Sequence, residues 1–165
     1  MSEDRDFYET LSQMLPISVD REAAESALAA GEEESAIMSL LDSACDEGAL
    51  TEEVLSFVDR NYPYGPVNEM ADALRLYMKN NAANETYDAL NRAVPGSVSR
   101  EAAEESLRYS GEESAIVSLL EEAVAEGLLD SQMLRVIEGY YFDSGFRDIV
   151  EAIREDVLRK ESSAA

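Results

Sequence analysis

The chain has no histidine, and this absence argues against many kinds of catalytic site at once. Histidine is the commonest general base and metal ligand, and it is the usual partner of a serine or cysteine nucleophile. No glycine-rich phosphate-binding loop occurs either. We therefore expect a protein that is not an enzyme and that uses no cofactor and no metal.

A single cysteine, Cys45, excludes an intrachain disulfide and argues against a thiolate zinc site. The residues that follow Met1 are mostly charged and no apolar run comes after them, so we expect no secretory signal. No segment is apolar over the length of a membrane span. From these absences we expect a cytoplasmic protein with no membrane partner.

Basic residues are scarce, whereas acidic residues are abundant. The 165 residues include 36 acids and 13 bases, which gives a net charge of −23. A field of that sign repels nucleic acid phosphates and attracts basic proteins. We therefore expect a basic protein partner and no direct binding to nucleic acid. The alternative interpretation is that the charge serves only solubility.

Shifted by 79 residues, the sequence matches itself without a gap. Residues 8–80 and 87–159 share 27 identities in 73 positions, and their net charges are −11 and −9. A match of this quality indicates a duplication in which both copies keep the acidity. We therefore predict two acidic helical modules, copy one at 1–80 and copy two at 81–165.

The predicted fold class is all-α, because apolar residues recur at helical spacing and no segment alternates as a strand does. Each copy reads as five short helices, and 80–85 reads as a short linker between the copies. A module of this size is near the lower limit of independent stability. We expect the copies to pack together with pseudo-two-fold symmetry, or the protein to form a homo-oligomer.

Helix boundaries are marked by capping residues and prolines. Thr51 and Asp130 are predicted N-caps of the fourth helix in each copy. Pro66 is predicted to begin the fifth helix of copy one. Ser110 followed by Glu113 predicts a capping box at the third helix of copy two.

An acidic run at the start of the third helix is the first candidate binding feature. Acids at this position complement the helix dipole, which explains them without a partner. The functional interpretation is that they contact a basic protein. The residues concerned are Glu32, Glu33, Glu34, Glu112 and Glu113.

Tyrosines between the fourth and fifth helices are the second candidate binding feature. Tyrosine is enriched in interface hot spots because it combines apolar area with a polar tip. Tyr62 and Tyr141 occupy matching positions in the two copies, so we expect them to hold helices together. Tyr64 and Tyr140 have no tyrosine counterpart, so we expect them to contact a partner.

The stretches 25–50 and 104–129 share one outline. A helix leads into Gly-Glu or Glu-Glu, then Ser-Ala-Ile-x-Ser-Leu-Leu, then Glu-Gly and a capped helix. This outline, about a third of each copy, resembles small helical immunity proteins of bacterial polymorphic toxin systems, of the MafI type. The resemblance implies an acidic protein that blocks a basic toxin, often a nuclease, by binding it tightly. Two copies in one chain depart from that family's pattern.

Three functions remain open from the sequence. An immunity or inhibitor protein predicts acids clustered on one exposed face beside exposed tyrosines. A DNA-mimic inhibitor of a nucleic-acid-binding protein predicts carboxylates spaced like phosphates along an elongated face. A non-catalytic helical scaffold, whose charge serves solubility, predicts evenly spread acids and a stability that rises with salt.

Overall fold

The computed structural model describes residues 2–164, which form nine α-helices and no strand. The predicted all-α class is therefore confirmed. The helices are α1 Glu3–Met14, α2 Glu22–Ala29, α3 Glu33–Asp46, α4 Glu52–Asn61, α5 Pro66–Ala93, α6 Glu101–Tyr109, α7 Glu112–Ala125, α8 Ser131–Arg135 and α9 Ser144–Ala164.

The chain divides into two compact units between Lys79 and Asn80. The first unit contains α1 to α4 and the first half of α5, and the second contains the rest of α5 and α6 to α9. The tandem repeat of one five-helix module, with its pseudo-two-fold symmetry, stays a prediction.

The predicted linker at 80–85 is wrong, because these residues lie inside the 28-residue helix α5. The segment contains neither proline nor glycine, so nothing in it interrupts the backbone hydrogen bonds of a helix. Thr86 Oγ1 donates to the carbonyl of Ala82 at 2.7 Å, and Ala83 is buried. The scarcity of apolar side chains in this segment favours a loop on sequence grounds, but a helix that is already formed does not need them to continue.

One central helix carries more fully buried side chains than any other helix in each unit. Ile37, Leu40 and Leu41 on α3 are 0% exposed, and α1 and α2 pack against that helix. Burial of each such side chain stabilises the fold by about 1.5–3 kcal/mol. No polar or charged residue is buried in the part of the chain that the structure describes. The matching residues on α7, also 0% exposed, are Ile116, Leu119 and Leu120.

The fourth helices begin where the sequence predicts. Thr51 accepts a hydrogen bond from Val54 N at 3.3 Å. Asp130 accepts one from Met133 N at 2.9 Å. These contacts confirm both predicted N-caps, since each satisfies a first-turn amide that has no partner within its helix.

The predicted capping box of Ser110 and Glu113 is wrong. Ser110 ends α6, and the N-cap of α7 is Gly111, whose φ of +98° favours glycine. The amide of Gly111 donates to the carbonyl of Ser106 at 2.8 Å and so closes the end of α6. A glycine turn therefore separates the two helices, and Glu113 is left for other contacts.

A repeated arginine joins the end of one helix to the loop that follows it. The Arg21 guanidinium donates to the carbonyls of Ser12 at 2.9 Å, Leu15 at 3.3 Å and Val19 at 2.5 Å. It also donates to Ser12 Oγ at 2.9 Å. These bonds satisfy carbonyls near the end of α1 that have no partner within the helix.

Arg100 makes the matching contacts in the second unit. Its guanidinium donates to Asn91 Oδ1 at 2.9 Å and to the carbonyls of Val94 at 2.8 Å and Val98 at 2.6 Å. The shared pattern indicates that both arginines hold a helix end to the loop after it. Arginine suits this role because its planar group presents several donors at once.

Replacing Arg21 with methionine should lower the free energy of unfolding by about 2 kcal/mol, because several carbonyls lose a charged donor. Urea denaturation followed by circular dichroism measures this. Arg60→Met, at an exposed position, is the matched control and should change stability by less than about 0.5 kcal/mol. An equal loss in both variants would contradict the structural role of Arg21.

The continuity of α5 predicts slow hydrogen exchange at the amides of residues 80–85. Each of these amides has a carbonyl four residues earlier in the same helix, whereas the loop at 63–65 has no such ladder. Native-state hydrogen exchange resolved by residue compares the two segments. Equally fast exchange in both would restore the linker interpretation.

Candidate protein-binding surfaces

The acidic run of the first unit lies at the start of α3. Gly31, at φ +79°, ends the preceding turn, and Glu32 occupies the N-cap position without a side-chain cap. Glu33 and Glu34 form the first turn of the helix. Glu32 and Glu34 are exposed, whereas Glu33 is half-buried and accepts a hydrogen bond from Ser2 Oγ. The run therefore offers two solvent-facing carboxylates and one that is held in place.

Tyr62 connects the end of α4 to α1. Its hydroxyl donates to the Asp4 carboxylate, and its ring meets the edge of Phe7 with centroids 4.9 Å apart. Phe7 in turn stacks on Phe57 at 4.9 Å. The negative charges of Glu34 and Glu33 also raise the pKa of the Tyr62 hydroxyl. One half-buried tyrosine thus lies among acids contributed by α1 and α3.

A cleft of about 470 Å³ opens beside Tyr62. Its walls combine carboxylates with aromatic rings, which is chemistry that binds cationic side chains. Sequence reasoning did not identify this cleft, because its residues near the N-terminus lie outside the compared repeat. The sequence signal for the cleft is Phe7, which lies among acidic residues. The matching position in the second copy is Thr86, which is not aromatic. The lining residues include Glu3, Asp4, Asp6, Phe7, Phe57 and Tyr62.

Tyr64 lies in the loop between α4 and α5, where 81% of its surface is exposed. The next residue, Gly65, has a φ of +94°, which turns the chain toward Pro66 at the start of α5. A large ring displayed on a short, ordered loop loses little conformational freedom when a partner covers it. Its role as a partner contact stays a prediction.

In the second unit, Tyr140 and Glu113 contact each other directly. The Tyr140 hydroxyl donates to Glu113 Oε1 at 3.0 Å, and the amide of Asp143 donates to the same oxygen at 3.0 Å. The Tyr140 ring meets Phe142 edge-on with centroids 4.8 Å apart. Two of the predicted binding residues are therefore brought together, and Glu112 lies beside them in the first turn of α7.

The adjacent ring, Tyr141, is 75% exposed, and the Arg147 guanidinium lies 4.4 Å from its centroid. The sequence match assigned the packing role to Tyr141 and exposure to Tyr140, and the structure shows the reverse. Helix α8 ends at Arg135, and Gly139 lies in the turns that follow, so the connection differs from that after α4. Partner binding by Tyr140 itself stays a prediction.

Burial raises the pKa of the Tyr62 and Tyr140 hydroxyls above the ordinary value of about 10. The hydrogen bonds to Asp4 and to Glu113 act in the same direction, since a carboxylate acceptor favours the protonated phenol. Nearby acids add to the effect, because ionisation would place another negative charge among them. Both phenols therefore stay protonated, and they remain donors across the physiological range.

The surface charge is strongly negative in both units. The first carries 18 acids and 5 bases, a net charge of −13, and the second carries 18 acids and 8 bases, a net charge of −10. Within the described residues, no group of three or more acids and cysteines is placed to hold a metal ion. No helix of residues 2–164 is long and apolar enough to cross a membrane.

Comparisons with known protein families, curated proteins and solved structures give no match to this chain. The residues themselves offer a pair of surfaces, one in each unit, where acids surround a hydrogen-bonded tyrosine.

Stability should fall above about pH 10, and Tyr140→Phe should reduce that loss. The folded-state pKa is raised, so the stabilisation is complete below the unfolded-state pKa of about 10 and is lost as the pH rises toward the folded-state value. Urea denaturation from neutral to alkaline pH measures the slope. Tyr141→Phe, at the exposed neighbouring ring, is the control. Identical slopes in the two variants would contradict the assignment.

Proposed function

We propose that this chain is a non-catalytic acidic protein that binds a basic protein and neutralises it, as a toxin immunity protein does. One observation supports the proposal most directly. In each unit, a tyrosine hydroxyl donates to a carboxylate next to the acidic first turn of α3 or α7. The acids are thus displayed together with rings that are able to anchor a partner.

The mechanism follows from the charge and the rings. The net charge of −23 steers a positively charged partner toward the protein and raises the association rate. Exposed carboxylates such as Glu32 and Glu34 then face the partner's lysines and arginines. Tyr64 supplies apolar contact area, which is the kind of contact that resists dissociation. A toxin whose active site is basic would be covered and inactivated in this way.

Solubility alone explains the charge but not the rings. Tyr64 and Tyr141 are more than 70% exposed, and each lies within two residues of a tyrosine whose hydroxyl donates to a carboxylate. A surface that only repels other molecules gains nothing from large exposed rings. The exposed rings therefore support the binding proposal over the scaffold interpretation.

The experiment begins with capture of partners from a lysate of the source organism at low and moderate salt, using the full chain. A single basic protein retained at moderate salt is the expected result. Its activity should be inhibited when the chain is added at equal concentration. Diffuse capture of many basic proteins, lost as salt rises, would contradict the proposal. Release of the partner by duplex DNA would indicate a DNA mimic instead.

Tyr64→Ala combined with Glu33→Lys should weaken binding of that partner by about 2–3 kcal/mol, because an anchor is lost and a charge is reversed. Stability should change by less than about 1 kcal/mol, the usual scale of a helix-dipole effect. The matched control is Tyr77→Ala with Glu53→Lys, which changes the same residue types at exposed positions of the same unit. Parallel losses of folding and binding would count against the assigned surface.

A further inference from the structure

The second unit has an apolar groove between α7 and α9, apart from the tyrosine surface described above. Its volume is about 480 Å³. Val124 comes from α7, and Ile149, Ala152 and Ile153 come from α9. Ile149 is 39% exposed although it is a large aliphatic residue. Val124 and Ile153 pack partly against the core of the unit, whereas Ile149 and Ala152 leave apolar surface exposed to water.

Spacing along α9 explains why part of this face lies outside the core. Val150 and Val157 are seven residues apart, lie on the same face and are buried. Ile149, Ala152 and Ile153 form a second stripe on the flank of the helix. Ile153 packs partly against the core, whereas Ile149 and Ala152 are exposed. The second stripe thus carries apolar surface beyond what the core buries.

Carboxylates surround the groove. Glu121 on α7 and Asp148 on α9 line it and are exposed. Asp156 lies at the other end of the α9 stripe and pairs with Lys160 at 2.8 Å and with Arg159. The groove thus combines an apolar floor with an acidic rim formed by Glu121 and Asp148. Copy one keeps an acid at both matching positions, Asp42 and Glu69.

We propose that this groove binds a basic amphipathic helix of the partner, with aliphatic residues on the floor and lysines or arginines against the rim. This inference rests on the proposed function and adds a second contact surface to it. The lining residues of α9 from Asp148 to Asp156 span about 12 Å, the length of about two helical turns. An occupying helix would therefore present apolar residues at positions i, i+3 or i+4, and i+7.

The charge of the rim selects among occupants. A second copy of this chain would bring another net charge of −23 toward the groove, so repulsion opposes it. Anionic lipid is opposed for the same reason. A basic helix satisfies both parts of the site, because its apolar face covers the floor and its cations face Glu121 and Asp148.

The test uses the full chain and a synthetic helical peptide of about 18 residues, with leucines along one face and lysines on both flanks. A scrambled peptide of identical composition is the comparison. Isothermal titration calorimetry at moderate salt measures both affinities. We expect saturable one-to-one binding of the amphipathic peptide and at least tenfold weaker binding of the scrambled one. Equal affinities of the two peptides, or no saturable binding, would overturn the proposal that the groove binds a basic amphipathic helix.

Two matched pairs of variants locate the binding. Ile149→Ser should weaken the amphipathic peptide about tenfold, whereas Leu158→Ser, at a 47% exposed position of the same helix, should change the affinity less than twofold. Asp148→Lys should weaken it similarly, and Glu105→Lys, at an exposed position of α6 outside the groove, is its control. Thermal melts followed by circular dichroism confirm folding. Equal effects within either pair would overturn the inference.

Ala152→Arg provides a further variant that avoids the core, because Ala152 is exposed and its replacement fills the groove with a long cation. Loss of peptide binding in this folded variant is expected, and unchanged binding would overturn the inference. Light scattering of the protein alone tests whether a second copy of this chain occupies the groove. A dimer that Ile149→Ser dissociates would assign the groove to a second copy and overturn the proposal.

The groove and the proposed function fail in different ways. If the groove is wrong, Ile149→Ser leaves capture of the natural partner unchanged, while Tyr64→Ala with Glu33→Lys still weakens it. If the proposed function is wrong, the wild-type chain retains no basic protein at moderate salt, whatever the peptide does.

Discussion

Each unit depends on a single apolar stripe along its central helix. On α3 the stripe includes Ile37 and Leu40, and on α7 it includes Ile116 and Leu119, all without exposed surface. Neighbouring helices pack against these stripes, and no charged residue among 2–164 enters the core. Since so few bases accompany the acids, a buried carboxylate would lack a compensating charge and would be costly. The stripes therefore determine both the packing and the outward display of acids.

The display of acids is not uniform, because tyrosines organise part of it. Tyr62 and Tyr140 keep their protons and donate to Asp4 and Glu113. A lysine or arginine in the same position would neutralise the carboxylate, whereas a phenol holds it without cancelling its charge. A surface meant to attract cations retains its full field in this arrangement. This property favours the proposed role in binding a basic protein over a purely structural role.

Features that depend on local chemistry were predictable from the sequence. Caps such as Thr51 and Asp130 act within one helical turn, and their amide contacts formed as expected. The continuity of α5 was missed because two helix-forming segments met without a breaker, and low apolar content resembled a linker. The capping box failed because Gly111 supplied a positive φ that outweighs the serine signal at Ser110. Tyr140 packs and Tyr141 is exposed, the reverse of the expectation from the repeat. Which of the two rings packs depends on the turns after α8, and the match between the copies does not specify those turns.

The two hydrogen bonds to Glu113 have a consequence for the thermodynamics of recognition. A glutamate on an open surface loses rotamer freedom when it engages a partner, and that loss opposes binding. The Tyr140 hydroxyl and the Asp143 amide already fix the Glu113 carboxylate. Its ordering has therefore taken place during folding. In the proposed role, contacts made through Glu113 would carry a smaller entropic penalty than contacts made through an exposed acid such as Glu34.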